Sequence, residues 1–209
     1  MKLYDFAGAP NPRRVRIFLA EKGIEVPTEQ VDLRARAQHA PEFVARNPSA
    51  TVPVLELDDG TCIAESVAIC RYFETLQPEP PLMGEGPRER ALVEMWQRRM
   101  EIDGLMAAAE AFRNATPGFK DRALAGTAPV AQIAELAERG RARTGRFFRF
   151  LDEVLAECDY VAGERFTIAD ITALVAVDFA AWSKLTPGPE LENLADWHQR
   201  VSARPSAKA

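Results

Sequence analysis

The stretch QPEPPLMGEGP, residues 77–87, packs four prolines and two glycines into one short segment. Proline has no backbone N–H to donate and a fixed φ, so neither a helix nor a central strand runs through it. The chain therefore divides there into two units, residues 1–78 and 88–209, joined by a linker at 79–87. A length of 209 residues suits two small cores that share an interface.

The two units differ in periodicity. Before the seam, short apolar runs alternate with helical patterns: KLYDF, the helix RRVRIFLAEKG closed by Gly23, EQVDL, and a second helix near APEFVARN. VPVLEL and TCIA follow, separated by Asp58, Asp59 and Gly60, and Asp-Gly is a hairpin turn signal. Ser66 is placed to cap a helix through VAICRYFETL, with Val67, Cys70, Phe73 and Leu76 on one face. The order β-α-β-α-β-β-α predicts a small mixed sheet carrying helices. After the seam no strand is predicted. Phe147, Leu151, Val154 and Leu155 form one apolar stripe and Val175, Phe179 and Trp182 another, which predicts a bundle of about five or six helices. The fold class is thus α/β followed by all-α.

Charge and cysteine usage exclude several functions. A net charge of −5 with no basic half gives no attraction to nucleic acid or to an anionic membrane. The longest apolar run, TALVAVDFAAW, is short and broken by Asp178, and MKLYDFAG lacks a signal-peptide layout. Cys62, Cys70 and Cys158 cannot all pair and show no zinc-site spacing, so each reads as a small core residue, no metal is expected, and the cytoplasm is the expected compartment.

The segment AGAPNPRRVR, residues 7–16, has the make-up of a helix start, with Asn11 as the cap and Pro12 at the first helical position. Free amides and the helix dipole at such an end favour an anion by roughly 0.3–1 kcal/mol, rising to about 2 in a partly buried site. A carboxylate, a phosphate and a thiolate all qualify.

KLYDF, APNPRRVRI, LAEKGI, EFVARNP, TVPVLELDDGT and IAESVAI, followed by YVAGERFTIADITA and LADWHQRVSARPS, resemble the glutathione transferase family in order and spacing over nearly the whole chain. The pattern is similar to fungal and bacterial members with TVPVLELDDG and a mid-chain ATPG. The resemblance implies a thioredoxin-like N-terminal domain, a helical-bundle C-terminal domain, glutathione as co-substrate and a homodimer. It also implies that Pro53 is cis, with Val52 turned toward the cysteinyl part of glutathione. Glu65 and Ser66 match the pair that holds the γ-glutamyl end, carboxylate to ammonium and hydroxyl to carboxylate, although both also read as capping residues. Gln38 and His39 fall where related enzymes meet the glycyl carboxylate, and His39 reads equally as a solvated loop residue. Thr167 and Asp170 match a structural capping box. Trp197 and Arg204 match packing positions.

The departure from the family is Ala9, which stands where related plant and insect enzymes carry the thiol-activating serine. The thiol, with a reference pKa of about 8.5, must ionise to attack an electrophile. Tyr4 lies within the first strand and reads as core. Two donors remain: Asn11, if its amide points to sulfur rather than capping, and Arg113 before ATPG, if it is not tied in a surface ion pair with Glu110. The expected reaction is addition of the glutathione thiolate to a small hydrophobic electrophile, in a cleft lined by Phe6, Met106, Ala109, Phe112 and Trp182. Glutathione-dependent peroxide reduction and a non-catalytic scaffold are the alternatives.

Overall fold

The computed structural model describes residues 1–209. Strands β1 (Lys2–Asp5), β2 (Thr28–Gln30), β3 (Val54–Glu56) and β4 (Cys62–Ala64) form one sheet in the order β2-β1-β3-β4. β2 runs parallel to β1, while β3 is antiparallel to both β1 and β4. Helices α1 (Pro10–Lys22), α2 (Pro41–Arg46) and α3 (Ser66–Leu76) complete this half in the expected order. The β3–β4 turn closes at Gly60, with φ of 83°.

The second half holds α4 (Gly86–Arg99), α5 (Met106–Ala115), α6 (Ala134–Leu155), α7 (Ile168–Ala180) and α8 (Glu192–Ser202). A π-helical segment, Met100–Leu105, joins α4 to α5. The N-terminal sheet domain and the helical domain thus match the expected fold class.

Three patterns read from sequence differ in detail. α7 is not amphipathic: all of its residues except Asp178 are buried, and Trp182, beyond its end, is 53 % exposed. Leu76, at the last turn of α3, is exposed, because the chain turns away into the seam. Cys158 is exposed rather than in the core, whereas Cys70 is buried and Cys62 half-buried; all three thiols are free.

One face of α1 packs on α3 and the other on α7, so α1 belongs to both domains. Its charges make the cross-links. Arg13 reaches Asp178 at 2.6 Å, and Arg204 holds Glu21 through two bonds of 2.8 and 2.7 Å. Ion pairs that span two elements order both side chains against one another and are screened less when half-buried.

α5 and α6 meet most closely at Gly140, where no side chain fits. A Cβ there would press on the Ala111 amide nitrogen and lie 2.9 Å from both the Ala107 carbonyl oxygen and Ala111 Cα. Backbone cannot rotate aside as a side chain does, so Gly140→Ala is expected to cost about 1–3 kcal/mol and to lower Tm by several degrees. Thermal unfolding checks this; an unchanged Tm would show that the helices separate freely.

Candidate functional site

Three chain segments converge at the start of α1. Asn11, Thr51, Val52, Pro53, Glu65 and Ser66 line a polar cavity of about 90 Å³. The Val52–Pro53 bond is cis. Asn47, itself buried, donates from Nδ2 to the Thr51 carbonyl at 2.9 Å and to Thr51 Oγ1 at 3.0 Å, which fixes the loop leading into Val52. Glu65 stands just before α3 with φ of 68°, a backbone conformation that turns the chain sharply from β4 into the helix. Ser66 is the first residue of α3 rather than its cap, and its Oγ donates to the Asn11 carbonyl at 3.2 Å. Thr51, within TVPVLELDDGT, is a cavity residue that sequence reasoning misses, and its place next to the Val-Pro pair is the signal that marks it.

The start of α1 also differs from expectation. The helix begins at Pro10, with Ala9 in the cap position, so Asn11 lies inside the first turn and does not cap. Pro10 and Pro12 have no N–H, and the Arg13 amide bonds the Ala9 carbonyl at 3.3 Å. Asn11 is therefore the one residue of this turn with a free amide N–H. The Asn11 side chain is exposed, and Arg14 Nη1 donates to its Oδ1 at 3.1 Å. A guanidinium has no acceptor, so the atom facing it must be the amide oxygen, and the Nδ2 hydrogens are left free.

The other candidates lie elsewhere. Tyr4 is buried, as expected, and its hydroxyl donates to Glu56 at 2.6 Å; burial and that bond push its pKa up to about 12. Gln38 and His39 form a short turn before α2 and do not line the cavity. Arg113 is not paired with Glu110, which instead binds Arg139 at 2.7 Å and Arg143 at 3.0 Å. Its own Nε and Nη2 donate to the carbonyls of Ala123 and Arg122 at 3.1 and 2.6 Å, and the guanidinium lies 4.8 Å from the Phe119 ring centroid. Burial lowers its pKa. Arg113 thus ties down the loop after α5, a role that its place before ATPG did not show.

An aromatic group stands beyond the end of α7. Phe112, Phe179 and Trp182 pack edge-to-face, with centroids 5.0–5.6 Å apart, and Phe119 joins Phe112 at 5.1 Å. The Arg13–Asp178 bond links α1 to the residue next to Phe179. Met106 is exposed, Ala109 half-buried against the core, and Phe6 packs in the separate small cluster of Tyr4, Phe43 and Val52.

Known proteins share this two-domain fold. The family model described as Glutathione S-transferase, N-terminal domain, matches residues 9–76, and that described as Glutathione S-transferase, C-terminal domain, matches residues 106–205. Glutathione S-transferase 2 of Saccharomyces cerevisiae is 40% identical over 210 residues, covering 100% of this chain and 88% of the yeast protein. The crystal structure of Gtt2 from the same yeast superposes with a TM-score of 0.92 at 40% identity, over 100% of this chain and 99% of that one. A glutathione S-transferase domain-containing protein from Marinobacter aquaeolei VT8 also gives a TM-score of 0.92, at 42% identity and 99% coverage of both chains. With both domains matched in order and the cis Val52–Pro53 bond at the cavity, the chain belongs to the glutathione S-transferase family.

Proposed function

We propose that the protein conjugates the glutathione thiolate to small hydrophobic electrophiles, with Asn11 as the donor that stabilises the sulfur. The observation that carries this reading is the convergence of Asn11, Val52, Pro53, Glu65 and Ser66 on one polar cavity. Glu65 receives the γ-glutamyl ammonium. Ser66 and the first amides of α3, which precede the bond from the Ile69 amide to the Glu65 carbonyl, receive its carboxylate. Val52 meets the cysteinyl backbone, and the thiol then faces the first turn of α1. The electrophile is received by the aromatic group of Phe112, Phe179 and Trp182. A homodimer fits the exposed Leu76, Leu92 and Met95, since α3 and α4 are held side by side by the Arg71–Glu94 pair at 2.6 Å.

Thiolate stabilisation has two sources in this reading. The α1 dipole supplies about 0.3–1 kcal/mol, and a donor to a charged group about 1.5–3 kcal/mol. Ala9 offers no side-chain donor, so the second part falls to Asn11. An ultraviolet thiolate titration of bound glutathione tests it: the apparent pKa is expected below that of the free peptide and about one unit higher in Asn11→Ala. Ser66→Ala is expected to weaken glutathione binding about tenfold or more while leaving the bound thiol's pKa in place. A bound thiol no more acidic than the free one would overturn this mechanism.

A further inference from the structure

Arg14 is a buried cation on α1, only 2 % exposed, and each guanidinium nitrogen has a partner. Nε donates to Thr172 Oγ1 at 3.1 Å, and Nη1 to Asn11 Oδ1 at 3.1 Å and Glu101 Oε1 at 3.0 Å. The wholly buried Gln97 supplies the last partner. With its amide oriented to satisfy its neighbours, its oxygen accepts from Arg14 Nη2 at 2.7 Å, while its nitrogen donates to Thr172 Oγ1 at 2.7 Å and to the Ile168 carbonyl at 3.0 Å. Glu101 lies in the π-helical segment, and its other oxygen accepts from Arg98 at 2.6 Å. Such π turns recur at functional sites, because the extra residue re-aims a side chain. Three of the four partners, Thr172, Gln97 and Glu101, belong to the helical domain. The fourth is the residue at the cavity.

We propose that Arg14 is a positioning residue for thiol activation: anchored by Glu101, Gln97 and Thr172, it holds the Asn11 amide oxygen so that the NH2 group is presented to the glutathione sulfur. The inference rests on the reading of Asn11 as the thiolate donor. The χ2 torsion of an asparagine has a broad, roughly two-fold profile, so an unheld amide turns its oxygen to the cavity about as readily as its nitrogen. Oxygen beside a thiolate repels it and nitrogen stabilises it. The guanidinium, with donors alone, accepts only one of these orientations. Because the anchors are on α4, the π segment and α7, the helical domain thereby sets the chemistry of a site built mostly from the sheet domain.

The test is the thiolate titration of bound glutathione in Arg14→Gln, Asn11→Ala and the double variant, with circular dichroism to establish folding. Arg14→Gln is expected to raise the apparent pKa by about one unit, as Asn11→Ala does, and the double variant to raise it no further. Affinity for the thiol form of glutathione, measured at a pH below both apparent pKa values, should stay within about twofold, since Arg14 touches the cavity only through Asn11. Glu101→Gln, a milder loosening of the same anchor, should shift the pKa in the same direction by less, and not at all in the Asn11→Ala background. It carries the test if Arg14→Gln does not fold. Asn11→Asp, whose second oxygen would face the sulfur, should raise the pKa beyond the Asn11→Ala value. A normal pKa in folded Arg14→Gln, or in Glu101→Gln where that carries the test, overturns the positioning role alone. Additive shifts in the double variant would mean that Arg14 acts on sulfur by its own charge, which also overturns it. An unchanged pKa in Asn11→Ala would instead remove the donor reading itself, and the positioning role with it.

Discussion

Asp170→Ala should be the most damaging single substitution in the helical domain, costing on the order of 3–5 kcal/mol or preventing folding outright. The carboxylate is fully buried and saturated. Oδ1 accepts from the Val161 amide at 2.9 Å and from Trp197 Nε1 at 3.0 Å; Oδ2 accepts from the Thr167 amide at 3.0 Å. Thr167 Oγ1 closes the reciprocal cap by accepting from the Ala169 amide at 3.3 Å. Removing the carboxylate strands three buried donors on three separate segments: the loop before α7, the α7 start and α8. Urea unfolding followed by circular dichroism measures the loss. Asp170→Asn keeps the shape, yet its NH2 group must face at least one of the same donors, so it too should be clearly destabilised.

The same group gives a pH signature. Burial raises the Asp170 pKa from 3.8 to about 6, against the opposing effect of its hydrogen bonds. The folded state therefore takes up a proton, between about pH 6 and 4, that the unfolded chain does not bind, and this group's contribution to stability grows as pH falls through that window. The gap in unfolding free energy between wild type and Asp170→Asn should thus be wider at pH 5 than at pH 7. An equal gap would show that Asp170 keeps its charge throughout.

The elements of this fold were legible because they rest on local chemistry. The Asp59-Gly60 turn, the Gly23 stop and the Thr167–Asp170 box each specify a backbone conformation within a few residues. The cavity was legible through the family pattern, since Val52, Glu65 and Ser66 come together only when the sheet is formed. What stayed hidden depends on partners distant in sequence. Arg14 reads as one more charge in RRVR, and its relation to Asn11 three residues before it is an ordinary helical spacing. Nothing local reveals that Glu101 and Thr172 close around it. Arg113 reads as a cation beside ATPG that either faces the cleft or pairs with Glu110, and only the path of the following loop brings the Arg122 and Ala123 carbonyls to it. The Asn11 cap failed for a different reason: two prolines, at positions 10 and 12, both fit the first turn, and the helix takes the earlier one.

The seam itself carries the second large effect. Lys22, whose side chain at the end of α1 is wholly buried, grips this segment. Nζ lies 2.7 Å from the Gln77 carbonyl, 3.3 Å from that of Pro78 and 2.7 Å from that of Pro80, and pairs with Glu74 Oε2 at 2.7 Å. Gln77 returns a bond from Nε2 to the Lys22 carbonyl at 2.6 Å, and Glu74 Oε1 holds the Met83 amide at 2.8 Å. Prolines leave a segment with carbonyls but few N–H groups, so something else must supply the donors, and one ammonium supplies them to three residues at once. Lys22→Met should therefore leave the half-buried Glu74 carboxylate without its counter-ion and three carbonyls without their donor, at a cost of about 3 kcal/mol. Limited proteolysis should cut the variant within residues 77–87 at conditions that leave the wild type intact. Adding Glu74→Gln should recover part of the loss, because deleting both charges is milder than stranding one while the Met83 contact is kept. A Lys22→Met protein with wild-type stability and protease resistance would show that the seam holds its shape through its prolines alone.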